Sequence, residues 1–177
     1  MTVLKILQYP DKRLKRLGVR VEKFDETIQK VIDDMFETRY ATDSCAALAA
    51  TQLDLEIPWF ITVIDLSKDN NDPLCLVNGE IIERSGEQFE YEGCMSVYPN
   101  FIHEKVKRDM KIRVKAQDRH GNPIDMMAEG YLAKCIQHEL DHLNGALYID
   151  RLPKIKLERI ARKVKKQERL SKKSSGG

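Results

Sequence analysis

Two histidines four positions apart with a glutamate between them, in Gln137-His138-Glu139-Leu140-Asp141-His142, are the residues of this chain best suited to chemistry. On a helix, side chains four apart are neighbours, so His138 and His142 can each offer a ring nitrogen to one divalent ion about 2 Å away. Glu139 is rotated off that face. It is poorly placed to bind the same ion but well placed to reach a water beside it, which is what metal-assisted hydrolysis requires. Taken alone, the pattern also fits a surface turn whose histidines fall four apart by chance.

The neighbours of these residues predict the helix that must carry them. Tyr131, Leu132, Cys135, Ile136, Leu140 and Leu143 recur at helical spacing after Gly130 and form an apolar stripe, and Gly145 stands where a left-handed cap is expected. Earlier, Asp25 is placed to cap an amphipathic helix bearing Ile28, Val31, Ile32, Met35, Phe36 and Tyr40. Met1 to Gly18 reads as an extended arm wrapped on the surface. From Ala46 the pattern becomes extended, and strands are expected over Pro58 to Leu66, Leu74 to Glu83, Gln88 to Tyr91, Ile102 to Val106, Lys111 to Asp118 and Ile124 to Ala128. Gly86 and His120-Gly121-Asn122-Pro123 mark turns. The order argues an α+β fold in which antiparallel strands pack around a central metal-binding helix, with a basic C-terminal helix.

A chain of 177 residues suits one domain, expected over residues 1–170, with the basic helix at 153–170 and a disordered tail at 171–177. No stretch approaches the roughly eighteen apolar residues of a membrane span, and Met1 to Pro10 do not resemble a secretory signal. A cytoplasmic protein with no membrane partner is therefore expected, and Cys45, Cys75, Cys94 and Cys135 are expected to be reduced. From Pro153 onward ten Lys or Arg stand against Glu158 and Glu168, a local +8, which leaves −6 for the rest of a chain of net charge +2. That segment reads equally as a solvated helix or as a docking surface for a polyanion. Trp59 and the strand aromatics are not interleaved with basic residues in sequence, so they read as core and DNA is not an expected partner.

Catalytic zinc or iron sites usually hold three protein ligands and keep one position for water, so the two histidines leave the set one short. Cys94, in Tyr91-Glu92-Gly93-Cys94-Met95-Ser96, is the best candidate: Gly93 frees the backbone, and a metal would keep the thiol deprotonated. A single cysteine also reads as a small buried hydrophobe, and the residues alone leave both readings open. However, Glu92-Gly93-Cys94-Met95-Ser96 and the His138 motif, with Leu48-Ala49-Ala50-Thr51-Gln52 upstream, resemble in order and spacing the three motifs of the peptide deformylases. Weaker similarity runs from Leu7-Gln8-Tyr9-Pro10-Asp11-Lys12-Arg13-Leu14 to the basic C-terminal segment.

The resemblance implies removal of the formyl group from N-formylmethionine at the start of nascent polypeptides, with release of formate. It implies Cys94, His138 and His142 as metal ligands, Glu139 as general acid and base, and Gln52 with the Met95 backbone amide as holders of the oxyanion. Cys45, Ala46, Ala47, Glu92, Tyr131 and Lys134 fall at substrate-binding positions. The implied cofactor is one divalent metal ion, commonly Fe(II), with Zn, Ni or Co able to take its place. The implied partners are the N-formylmethionyl peptide and the ribosome near its exit tunnel, met by the basic C-terminal helix.

The chain departs from the family pattern in three places. Cys45-Ala46-Ala47 replaces a usual Gly-X-Gly, Tyr131 and Lys134 replace aliphatic residues that line the first side chain's pocket, and Ser96-Val97-Tyr98-Pro99-Asn100-Phe101 lacks the basic residue often found there. A divergent homologue with weak activity or altered first-residue preference is one alternative reading. A zinc endopeptidase is another, and it would need a further ligand downstream, where only Glu158 and Glu168 offer one. His103 and His120 read as surface residues, and Asp141 as an ion-pair residue turned away from the histidine face.

Overall fold

The computed structural model describes residues 1–174. Its helices are α1 (Glu26–Ala41), α2 (Gly130–Leu143) and α3 (Lys154–Ser174), and its strands are β1 (Ala47–Ala49), β2 (Ile61–Ile64), β3 (Leu74–Ser85), β4 (Gln88–Glu92), β5 (Glu104–Arg108), β6 (Lys111–Gln117) and β7 (Pro123–Glu129). Five strands form an antiparallel sheet in the order β1-β2-β3-β6-β7, and β4 and β5 form a separate hairpin. The architecture is α+β.

The period-two alternation of the sheet decides what each face holds. Leu48, Ile61, Val63 and Val77 pack with Ile28, Ile32 and Met35 of α1. Ala47, Ala49, Ile64, Leu76, Ile112 and Val114 pack with Ala133, Ile136, Leu140 and Leu143 of α2. The sheet is thus sandwiched between α1 and α2. A third cluster joins Leu7, Leu14, Cys94, Val97, Val106 and Tyr148 to Ile160 and Val164 of α3, so α2 has packed structure on both sides.

Capping follows the sequence. The Asp25 carboxylate accepts from the amides of Thr27 at 3.1 Å and Ile28 at 3.2 Å, satisfying donors that a helix start leaves free. Gly145, at φ 75°, ends α2, and a Cβ there would lie 2.7 Å from the Lys15 carbonyl oxygen.

Four expectations need correction. The N-terminal arm is not merely a surface wrap: Leu7 and Leu14 are buried, and the Leu7 and Tyr9 amides donate to the carbonyls of Gln52 (2.8 Å) and Ser96 (2.7 Å), tying two of the sequence motifs together. The strand expected over Ile102 to Val106 is shifted to Glu104–Arg108, because the turn holding the Phe101 and Ile102 amides on the Tyr98 carbonyl occupies its start. Phe89 and Tyr91 are exposed rather than core, since the hairpin turns their face outward. Finally, α3 continues through Ser174, past the expected boundary, and the remainder of the expected tail, 175–177, lies outside the described residues.

Ile32 is fully buried beneath the sheet, whereas Ile155 on α3 is 74% exposed. Ile32→Ala is expected to lower unfolding free energy by about 2–5 kcal/mol through cavity formation, and Ile155→Ala to change it by less than about 0.5 kcal/mol, as measured by urea denaturation.

Candidate metal centre and active site

α2 turns its apolar stripe to the sheet and its other buried face to Cys94, which lies just beyond the end of β4. There His138 and His142, one helical turn apart, bring their Nε2 atoms to 3.2 Å from one another, and the Cys94 sulfur lies 3.3 Å from His142 Nε2. All three residues are buried, and their donor atoms lie within 4.8 Å of one another. A tetrahedral shell with bonds of about 2.0–2.3 Å separates its donors by roughly 3.3–3.6 Å, so the cluster fits a single cation with little adjustment. One thiolate with two imidazoles suits zinc or iron better than hard, oxygen-seeking ions.

The surroundings fix how the side chains of the cluster point. The His138 Nδ1 atom meets Glu92 Oε2 at 2.8 Å, which leaves Nε2 for the cation. Glu92 is held in turn by Arg108, through Nε at 2.8 Å and Nη2 at 3.0 Å, and the third guanidinium nitrogen of Arg108 pairs with Asp141. Arg151 adds a two-pronged pair to Asp141 at 2.7 and 2.8 Å. Asp141 is therefore an ion-pair residue, as expected. The Ala49 amide donates to Gln52 Oε1 at 2.9 Å. An amide N–H must meet the oxygen, so Gln52 Nε2 faces the other way, 3.1 Å from Ser96 Oγ and 3.6 Å from the Cys94 sulfur.

Glu139 lines the floor of a cleft of about 320 Å³ beside Cys94, His138, Gln52 and Met95. Its Oε2 is buried without a hydrogen-bond partner among the described residues. Buried polar atoms are rarely left so, and an unpartnered oxygen on a residue that borders the cleft suits a group whose partner is water or substrate. Burial pushes its carboxyl up to about 7, against the pull of His138. Burial opposes charge on both imidazoles. The Cys94 thiol and the Glu92 carboxylate nevertheless raise His138 well above its ordinary range, while His142, buried against His138, is pushed well below it.

The other substrate-binding candidates separate. Ala46, Ala47, Tyr131 and Lys134 line the cleft, and the Lys134 ammonium is tied to the Tyr91 carbonyl at 3.1 Å. Cys45 is absent from the wall: its side chain is buried in the core under α1, with the thiol near the Ala47 carbonyl. Glu92 borders the cleft, but both its carboxylate oxygens are engaged by Arg108 and His138, so its side chain orients the His138 ring.

Two residues were missed. Arg108 is one, although Val106 is apolar and Arg108 follows it by two, the spacing that turns both inward on a strand. His103 is exposed but lines the cleft, its ring so close to Gly93 that a Cβ there would lie 2.7 Å from it. No spacing signal marks His103.

A cleft floored by a buried Cys-His-His cluster with a free carboxylate beside it defines a metal-assisted hydrolase. The sequence profile of the polypeptide deformylase family matches residues 3–158. Peptide deformylase 1 of Coxiella burnetii is 59% identical over 170 residues, covering 96% of this chain and 99% of that protein. The crystal structure of a peptide deformylase from Legionella pneumophila superposes with a TM-score of 0.87 at 40% identity, covering 96% of this chain and 98% of that one. A second, from Ehrlichia chaffeensis in complex with actinonin, gives 0.86 at 38% identity, covering 96% and 99%. The chain belongs to the polypeptide deformylase family.

The Arg108 side chain is fully buried between two carboxylates. Arg108→Met is expected to cost about 3–5 kcal/mol, because it leaves the buried Glu92 carboxylate without its cation, while Asp141 keeps Arg151. Burial alone would raise Glu92, but its bonds to Arg108 and His138 outweigh that and hold it at about 2 against an ordinary 4.5. A lowered carboxyl stabilises the fold above its ordinary pKa and loses that contribution as pH falls through the folded value. Acid titration of thermal stability is expected to show this loss between about 4.5 and 2 in the parent protein, and a smaller one in Arg108→Met.

Proposed function

We infer that this chain removes the formyl group from the amino terminus of nascent polypeptides, with Cys94, His138 and His142 holding one divalent cation and Glu139 moving the proton. The observation that carries the reading is the buried Cys-His-His cluster beside Glu139, whose Oε2 is buried without a hydrogen-bond partner among the described residues. When bound, the cation supplies Lewis acidity and makes a water reactive near neutral pH. Fe(II) is the native ion in this reading, and Zn, Ni and Co are able to replace it.

Glu139 takes the proton of the attacking water at Oε2 and returns it to the departing amine. Gln52 Nε2 and the Met95 amide donate to the formyl oxygen as it gains charge. The C–N bond breaks and formate leaves with the added oxygen. Tyr131 and Lys134 border the site for the first side chain. The endopeptidase alternative is not favoured: Glu158 and Glu168 lie on α3, away from the cluster that α2 forms with Cys94.

Glu139→Gln is expected to retain one equivalent of metal and to lose about 10²–10⁴-fold in turnover, read as formate release from formyl-Met-Ala-Ser together with metal analysis. Loss of metal in step with activity would show that Glu139 holds the site together instead.

The basic face of α3 is proposed to dock on the ribosome near the exit of the nascent chain. Ile160 and Val164 bury one side of α3 in the core while Arg162, Lys165, Lys166 and Arg169 are exposed on the helix surface, a placement suited to phosphates. Truncation would strip core side chains, so charge reversal is the cleaner probe. The double variant Arg162→Glu, Lys166→Glu is expected to lose co-sedimentation with ribosomes at low salt and to keep full activity on the free tripeptide.

A further inference from the structure

The outer face of the β4–β5 hairpin carries rings and ammonium groups that the reaction above does not use. Phe89 and Tyr91 are 58% and 62% exposed and, two apart on β4, share one face. The register sets Tyr91 opposite Lys105 and Phe89 opposite Lys107. The Lys105 ammonium lies 5.7 Å from the centre of the Phe89 ring and 5.3 Å from that of Tyr91. Lys134 holds its ammonium 4.8 Å over the ring of Tyr131. Among the described residues neither Lys105 nor Lys134 has a carboxylate partner, whereas Lys107 pairs with Glu87. Glu90 alternates to the other face of β4.

This patch is continuous with the cleft, because Tyr91, Tyr131 and Lys134 also line it. Phe89 precedes Cys94 by about five residues of largely extended chain, roughly 16 Å at about 3.3 Å per residue. An extended peptide anchored by its formyl group at the cluster spans the same distance with about its third to fifth residues.

We propose that this face is a subsite for the substrate itself, in which Phe89, Tyr91 and Lys105 grip the third to fifth residues of a formyl-peptide and favour acidic side chains there. The inference rests on the deformylase reading. Two ammonium groups without carboxylate partners supply complementary charge, and the rings offer apolar area on which the methylenes of a Glu or Asp side chain can pack. A polyphosphate fits less well, since Glu87 stands on the same hairpin and neutralises Lys107.

The test compares kcat/KM for formyl-Met-Ala with two pentapeptides, formyl-Met-Ala-Asp-Glu-Glu and formyl-Met-Ala-Lys-Lys-Lys, in the metal-loaded parent protein, Lys105→Glu and Phe89→Ala. The parent is expected to prefer the acidic pentapeptide by about two- to fivefold, in line with exposed cation–π and ion-pair contacts. Added salt should shrink that preference, Lys105→Glu should reverse it, and Phe89→Ala should reduce it. Turnover of formyl-Met-Ala, which ends short of the subsite, should be the same in all three proteins. Equal rates for the two pentapeptides with normal dipeptide turnover would overturn the subsite alone, and absence of formate from the dipeptide would overturn the deformylase reading with it. If Lys105→Glu left the pentapeptide preference intact but lost ribosome co-sedimentation, the face would belong to RNA and the proposal would be wrong.

Discussion

The site depends on a buried cation. Arg108 has no exposed side-chain surface and sits between Glu92 and Asp141, and Glu92 passes its orientation to His138. Burying one charge costs several kcal/mol unless it is paired and its hydrogen bonds are met. Here the guanidinium spends its nitrogens on two carboxylates from different elements, β4 and α2. The arrangement fixes the angle of the His138 ring, and it pins the hairpin to the helix. Its net contribution to stability is modest by nature, because the same charges would be well solvated in water. What it supplies is geometry: removing Arg108 leaves Glu92 buried without a cation, although Asp141 keeps Arg151.

α2 shows how one short helix carries both fold and chemistry. Ala133, Ile136, Leu140 and Leu143 satisfy the sheet, while His138 and His142 face Cys94 on the far side. Glu139, set apart from the histidine face by the helical turn, lines the cleft floor. The backbone on which Cys94 rests is held by neighbours remote in sequence. The N-terminal arm donates to the Gln52 and Ser96 carbonyls, and Gln8 Nε2 donates to the Met95 carbonyl at 2.6 Å. Motifs far apart in the chain are thereby kept in one register.

Much of this was legible in the sequence because it is local. The α2 stripe, the Asp25 cap, the Gly145 end and the histidine pair all follow from spacing of a few residues, and the place of Cys94 beside that pair followed once it was read within its motif. What escaped the sequence is non-local. Arg108 meets Glu92 and Asp141 only after β5 folds against β4 and α2, although its place two residues beyond Val106 was a usable hint. His103 reaches the cleft through its packing on Gly93, for which linear order gives no sign. Cys45 and Glu92 were assigned to substrate by position in a motif. Burial beneath α1 and pairing with Arg108, respectively, gave their side chains other work. The exposed Phe89 and Tyr91 were misread for a similar reason, since the lysine that covers them comes from the partner strand.

The central claim is that Cys94, His138 and His142 together hold one cation, and X-ray absorption at the edge of the bound metal tests it most directly. The account predicts one sulfur neighbour at about 2.3 Å and two imidazole nitrogens at about 2.0–2.1 Å, with the remaining light scatterer exchangeable. A first shell of nitrogen and oxygen alone, with no sulfur, would contradict it.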